Sequence, residues 1–249
     1  MLNKRSTKRL PTSDRATLQP VERTPSSSPS PLDLALSNAP LPLFPLPGFT
    51  LFPGTRVPLH VFEPRYRKLV ADLLSGNQLL ALPQLKPGYE PTYYGRPELF
   101  PICGAARIVE HAELADGRYN ILVQGVARVR LVEEVSSSSL YRVARVVSLP
   151  DQSTASPLVV NALRDELQSL CSRLERDLPA FATIQSIFRE GPSPGAIADR
   201  VGSALIADPS ERQILLDQLD PAARLERLIA HLHDLFNALS RGKPERELN

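Results

Sequence analysis

Apolar positions along this chain change their period twice. Before residue 41 they are sparse and show no period. From residue 41 to 149 they fall into short runs or alternate with polar residues, the signature of strands. After Pro150 they recur every three or four positions, the signature of helices. In the middle segment Leu41-Pro42-Leu43-Phe44-Pro45-Leu46 is an extended run whose prolines suit a sheet edge or strand end. Leu51-Phe52-Pro53-Gly54 reads as a turn and Val57 to Phe62 as a second strand. Pro64 suits the first position of a helix, and Tyr66, Leu69, Val70, Leu73 and Leu74 share one face of it before Gly76 stops it.

Strands are predicted again at Leu79 to Leu85 and Ile102 to Glu110, separated by a long Pro/Gly-rich loop over 86–101. Asp116-Gly117 marks a hairpin into Tyr119 to Val123. Val126 to Val135 continues as strand, with Val129 and Leu131 on one face and Arg128 and Arg130 on the other. After the loop Ser136 to Ser139, residues Tyr141 to Leu149 alternate once more. About six β segments with one early helix, and no βαβ rhythm, predict a small mixed barrel or sandwich.

The last part predicts a helical bundle. Pro157 to Glu175 places Val159, Leu163, Leu167, Leu170 and Leu174 on one face. Phe181 to Phe188 reads as a second helix, and Ser193-Pro194 opens a third with Ile197, Val201 and Leu205 inward. Asp208-Pro209-Ser210-Glu211 has the order of a helix start, and Asp220-Pro221 starts a last helix with Leu225, Leu228, Leu232, Leu235 and Leu239 as its stripe. The expected organisation is an α+β chain: a Pro/Ser-rich disordered arm at 1–40, a β-rich part at 41–150, a helical part at 151–242 and a tail at 243–249. Thr24 to Pro31 has too little apolar surface to offset the entropy of ordering.

Composition narrows the chemistry. With 42% hydrophobic residues among 249 the chain can build a core, and no apolar run approaches the ~18 residues of a membrane span. The total charge is +2, divided as +3 over 1–40, +3 over 41–150 and −4 over 151–249. No segment carries the concentrated basic stripe of a nucleic-acid binder. Cys103 and Cys171 are too few for a disulfide framework or a cysteine zinc site and read as buried packing residues of a reducing compartment. The basic start has no apolar run behind it, so a cytoplasmic location is expected; organelle targeting through the Ser-rich arm is the alternative.

Motifs for catalysis are wanting. There is no phosphate-binding G-x-x-x-x-G-K-[ST], no H-E-x-x-H and no C-x-x-C. His231 and His233, two apart on a helix, point in opposed directions, and no metal or cofactor is expected. Gly191-Pro192-Ser193-Pro194-Gly195 spells G-x-S-x-G, with acids and histidines following in hydrolase order. That reading needs a strand before Ser193 and an N–H on the residue after it. The preceding residues look helical and Pro194 has no N–H, so Ser193 is better read as a helix cap.

The blocks Leu41 to Leu46, Leu51 to Gly54 and Val57 to Tyr66, followed by Gly104 to Ile108, Asp116 to Ile121, Gly125 to Arg130 and Tyr141 to Ala144, resemble the Lon protease N-terminal (substrate-binding) domain over about residues 40–240. The resemblance implies a PUA-like β subdomain packed on a helical bundle. It also implies recognition of unfolded or tagged polypeptides without catalysis, in the manner of an adaptor or chaperone-like factor in protein quality control, with a protease or chaperone as a further partner. The ATPase and Ser-Lys peptidase modules of that enzyme have no counterpart here, so a free-standing form is expected. An RNA-binding PUA-like protein and a Ser193 hydrolase are the competing readings. Candidate polypeptide-binding residues are Phe52, Phe62, Glu63, Arg65, Tyr66, Tyr89, Tyr93 and Tyr94. The three loop tyrosines serve either as interface anchors or as a cover for the β core. Glu63 and Arg65 serve either as partner contacts or as ties between the helix start and the sheet. The edge near Leu43 is expected to accept an extended peptide only in part.

Overall fold

The computed structural model describes residues 32, 36, 40–181, 183–189 and 192–241. The expected arm, apart from Leu32, Leu36 and Pro40, and the tail at 243–249 lie outside the described residues. The fold is α+β. Six strands, β1 (Leu41–Pro42), β2 (Arg56–Val61), β3 (Leu79–Leu82), β4 (Ile102–Glu113), β5 (Tyr119–Val135) and β6 (Val143–Ser148), form one antiparallel sheet. Helix α1 (Pro64–Leu74) lies between β2 and β3 in sequence. Five helices follow: α2 (Pro157–Asp177), α3 (Ser186–Arg189), α4 (Pro194–Leu205), α5 (Pro209–Asp217) and α6 (Pro221–Arg241).

The 17-residue β5 is the spine of the sheet, where the sequence suggested two shorter strands. One edge pairs with β4, while the other pairs first with β2 and then with β6. Irregularities in the β4 and β6 ladders let the long strand bend, so its two halves join differently oriented parts of the sheet. The hairpin at Asp116-Gly117 forms as expected, with Gly117 at φ 76°. The first apolar run closes the barrel. β1 pairs with β6, and Leu43 and Leu46 then bridge in parallel to Ala81 and Gln84. Leu43 N–H donates to the Arg142 carbonyl at 2.8 Å and Phe44 N–H to the Ala81 carbonyl at 2.8 Å. The edge near Leu43 is therefore occupied by the chain's own strands and is not open to a peptide.

Both faces of the central strands are covered. Leu80, Leu82, Ile108, Ile121 and Val123 join the buried face of α1. Leu79, Ala81, Ala105, Val129 and Val146 pack on the other side with Leu36, so packing begins upstream of the expected boundary at Leu41. Between the barrel core and the bundle Leu51-Phe52 crosses the sheet against two glycines. A Cβ on Gly104 would lie 2.3 Å from the Leu51 carbonyl oxygen, and one on Gly125 would lie 2.2 Å from that of Phe52. Leu51 points into the barrel core, whereas Phe52 enters the core of the bundle.

The bundle is built mainly from α2, α4 and α6, with Leu167, Cys171, Leu174, Val201, Leu225, Leu228 and Leu232 buried among them. Two expectations need correcting. Val159 is exposed and Val160 faces inward, because the α2 stripe is rotated by one position at its start. The second helix expected at 181–188 is a 3₁₀ turn at Pro179–Phe181 and the four-residue α3, with residue 182 outside the described residues. The later starts follow the sequence: the side chains of Ser193 and Asp208 accept from the N–H groups of Ala196 at 3.3 Å and Glu211 at 2.9 Å.

Bundle and barrel meet across a buried ionic seam. Arg128 of β5, expected on a polar face, is 3% exposed. It donates to the Leu216 carbonyl at 2.5 Å and to Asp199 of α4 at 2.9 Å. Arg224 of α6, fully buried, donates to Asp151 at 2.8 Å and to the Gln218 carbonyl at 3.1 Å. Burial pushes the Asp199 carboxyl up and the Arg128 guanidinium down, each against the pull of its partner. Gln213 donates to the Ile102 carbonyl at 2.9 Å and Arg212 to that of Thr50 at 3.2 Å, with the Arg212 guanidinium 5.5 Å over the Phe52 ring.

Two stability outcomes follow. Gly125→Ala lowers the unfolding free energy by about 1–3 kcal/mol in urea titration, since neither strand nor crossing segment can yield to a backbone overlap. Arg128→Met costs about 3 kcal/mol by leaving Asp199 short of a partner in a desolvated site, and adding Asp199→Leu recovers part of the loss.

Candidate functional site

The candidate site grows out of the start of α1. Val61 ends β2, and Glu63 takes the N-cap position before Pro64 at the first helical position. Glu63 makes no side-chain cap; its carboxylate is drawn sideways. It accepts from Arg65 Nε at 2.9 Å and from the Tyr93 hydroxyl at 2.7 Å. Arg65 lies 4.6 Å from the Tyr66 ring centroid and 5.2 Å from that of Tyr93. Its terminal nitrogens reach the Tyr93 carbonyl only at 3.4 and 3.5 Å. The long loop over 86–101 is thus pinned to the helix start, and Glu63 and Arg65 tie that start to the loop at Tyr93 rather than to the sheet.

Beside this tie lies an open cleft of about 230 Å³. Leu43 and Pro45 from the barrel-closing segment form part of its wall, together with Arg65 and Tyr66. Tyr94, Gly95 and Arg96 come from the long loop. Val135 at the end of β5 and the loop residues Ser137 to Arg142, except Ser138, complete it. Tyr94 is 88% exposed and Leu140 67% exposed at the rim. Arg142 is held by Glu134 through Nε at 3.1 Å and through Nη2, and by the Pro97 carbonyl at 2.7 Å. Arg96 also reaches Glu134, and these hydrogen bonds hold that carboxyl below the usual range. Tyr141 donates to Asp72 at 2.9 Å. Tyr66 stacks on Phe44 with centroids 4.3 Å apart, and burial pushes its phenol up to about 12, so it stays protonated.

The expected site residues divide into groups. Arg65, Tyr66 and Tyr94 line the cleft. Glu63 and Tyr93 stand behind it as supports, and Tyr89 packs 6.0 Å from Tyr93 without lining it. Phe62 is 60% exposed but turns toward His60, away from the cleft lining. Phe52 is buried against the bundle, which makes it a packing residue. Arg96, Leu140, Tyr141 and Arg142 were not foreseen; an apolar Leu-Tyr pair directly after four serines was the available signal. Among the described residues no group of three or more His, Cys, Asp or Glu could hold a metal ion. Gly195 of the G-x-S-x-G string has its own explanation: a Cβ there would lie 1.9 Å from Asp151 Oδ2.

Residues 40–234 match the family description of the ATP-dependent protease La (LON) substrate-binding domain. The chain belongs to this family. The Lon protease of Geobacter metallireducens is 30% identical over 206 residues, covering 79% of this chain and 24% of that protein. Lon protease 2 of Myxococcus xanthus is 30% identical over 198 residues, covering 78% and 23%. The chain therefore spans about a quarter of the length of the curated relatives it matches. The fold is that of the N-terminal domain of Mycobacterium avium complex Lon protease, with a TM-score of 0.63 at 20% identity over 79% of this chain and 99% of that one. A Lon N-terminal domain protein from Xanthomonas campestris superposes with a TM-score of 0.52 at 22% identity, over 77% and 98%. Among the described residues of this Lon-type domain no helix is long and apolar enough to cross a membrane.

Tyr93→Phe removes the hydroxyl that ties the loop to Glu63. It should cost about 1 kcal/mol and raise hydrogen exchange in residues 89–96, while exchange in α6 stays unchanged.

Proposed function

We propose that this domain binds unfolded or tagged polypeptides without catalysing their cleavage, and that the cleft between the start of α1, the loop over 86–101 and the loop after β5 is where they dock. The observation that carries this reading is the pairing of an exposed apolar rim, Tyr94 and Leu140, with a wall of polar donors, in a family described by substrate binding. Tyrosine and arginine are the residues on which protein interfaces most often concentrate their affinity. The cavity lies below the ~300–1,000 Å³ usual for small-molecule sites, so it suits one side chain of a longer ligand. Such a unit serves as an adaptor or chaperone-like factor in protein quality control, delivering bound chains to a protease or chaperone. The long-loop tyrosines then have divided duties, Tyr93 as a support and Tyr94 as the contact.

Titration of a fluorescently labelled, permanently unfolded polypeptide, reduced and carboxymethylated α-lactalbumin, tests the reading by anisotropy. Binding is expected, with Tyr94→Ala and Leu140→Ala each weakening it about tenfold and Leu158→Ala, on the exposed face of α2, leaving it unchanged. Absence of binding, or equal affinity in all four proteins, contradicts it.

A further inference from the structure

The cleft is unusual in the sign of its unused hydrogen-bonding capacity. Tyr66 is 6% exposed, lines the cavity, and its hydroxyl has no hydrogen-bond partner among the described residues. Its phenol remains protonated at any physiological pH, so it stands ready to donate. Arg96 commits one terminal nitrogen to Glu134, and its other N–H groups have no partner among the described residues. The Arg65 terminal nitrogens have only the long contacts to the Tyr93 carbonyl. The carboxylates nearby are already engaged. Glu134 is shared by Arg142 and Arg96, Glu63 by Arg65 and Tyr93, and Asp72 by Lys68 and Tyr141.

Three guanidinium groups of the site, Arg65, Arg96 and Arg142, thus face two carboxylates, Glu63 and Glu134, which leaves one positive charge uncompensated. An apolar ligand alone would leave the Tyr66 hydroxyl buried without a partner, at a desolvation cost. A basic ligand would add like charge. A group that only accepts hydrogen bonds and carries a negative charge satisfies both the phenol and the surplus guanidinium.

Resting on the polypeptide-binding reading above, the geometry points to a finer specificity: the cleft is a receptor for a carboxylate on an extended polypeptide, received by Tyr66 and Arg96 while the adjoining residue packs on Tyr94 and Leu140. The carboxylate comes from the chain's C-terminus or from an aspartate or glutamate side chain. Both offer the same planar pair of acceptor oxygens, and the cavity of about 230 Å³ admits one such group with its immediate apolar neighbour. The charge is read at close range, so added salt weakens binding without abolishing it.

Three N-acetylated, unlabelled hexapeptides compared by calorimetry decide the matter: one of neutral residues ending in leucine with a free carboxylate, its C-terminal amide, and that amide with one internal glutamate. At least one carboxylate-bearing peptide is expected to bind about tenfold more tightly than the neutral amide. Preference for the free acid alone assigns the C-terminus, and preference for the glutamate peptide alone assigns a side chain. Tyr66→Phe, which keeps the ring stacked on Phe44, and Arg96→Met, on an exposed side chain, are each expected to shrink the preference to about threefold or less. Equal binding of all three peptides, or a preference undiminished in both variants, overturns this inference while leaving polypeptide binding in place. Failure of every peptide and of the unfolded polypeptide alike removes both.

Discussion

The passage of Leu51-Phe52 across Gly104 and Gly125 is the constraint on which the rest of the structure depends. Backbone meets backbone there at distances that admit no Cβ on either strand. The two residues alternate in direction, as extended residues must. Leu51 therefore fills the barrel core and Phe52 the bundle core. The chain then turns through Gly54, whose N–H donates to the Gly125 carbonyl at 2.9 Å, and enters β2. β2 leads into α1, whose start places Arg65 in the wall of the cleft with Glu63 behind it. One short segment thus sets the spacing of two cores and the position of the candidate site.

The seam beneath it explains why the helices dock where they do. Apolar contact alone would allow the bundle to slide on the sheet. Arg128, Asp199 and Arg224 permit few arrangements, because each buried charge needs a partner at hydrogen-bond distance, and the half-exposed Asp151 supplies one of them from the seam's edge. A buried pair of this kind gains little net stability, because the cost of desolvating both charges offsets their attraction. These groups also account for a local oddity of sequence, since Gly195 leaves room for Asp151 and Arg224, and Ser193 caps α4. A string that spells a nucleophile motif is here a packing requirement.

Much of this was legible in the order of residues. The switch of period near Pro150, the Asp116-Gly117 hairpin, Pro64 opening α1 and the Ser193 and Asp208 caps are local signals with local causes, and the structure carries each. What escaped was decided at long range. Arg128 occupies an alternating polar position, and only the docked bundle makes that face an interior. The role of Leu41 to Leu46 as the closing piece of a barrel depends on β6, about a hundred residues on, and on Ala81 and Gln84, about forty residues on. The cleft shares this character. Arg65, Tyr66, Tyr94 and Arg96 come from one recognisable block and one long loop, but Leu140 and Arg142 join them only because the segment after β5 converges on that loop.

In the proposed function an exposed aromatic on a pinned loop, Tyr94, receives unfolded chains. The most direct measurement of this is site-specific photocrosslinking, with a benzophenone amino acid placed at residue 94 and, in a second protein, at residue 158 on the exposed face of α2. An unfolded, labelled polypeptide should crosslink strongly at 94 and be displaced by unlabelled chain, with background labelling at 158. Crosslinking concentrated at 158, or equal at both positions, would contradict it.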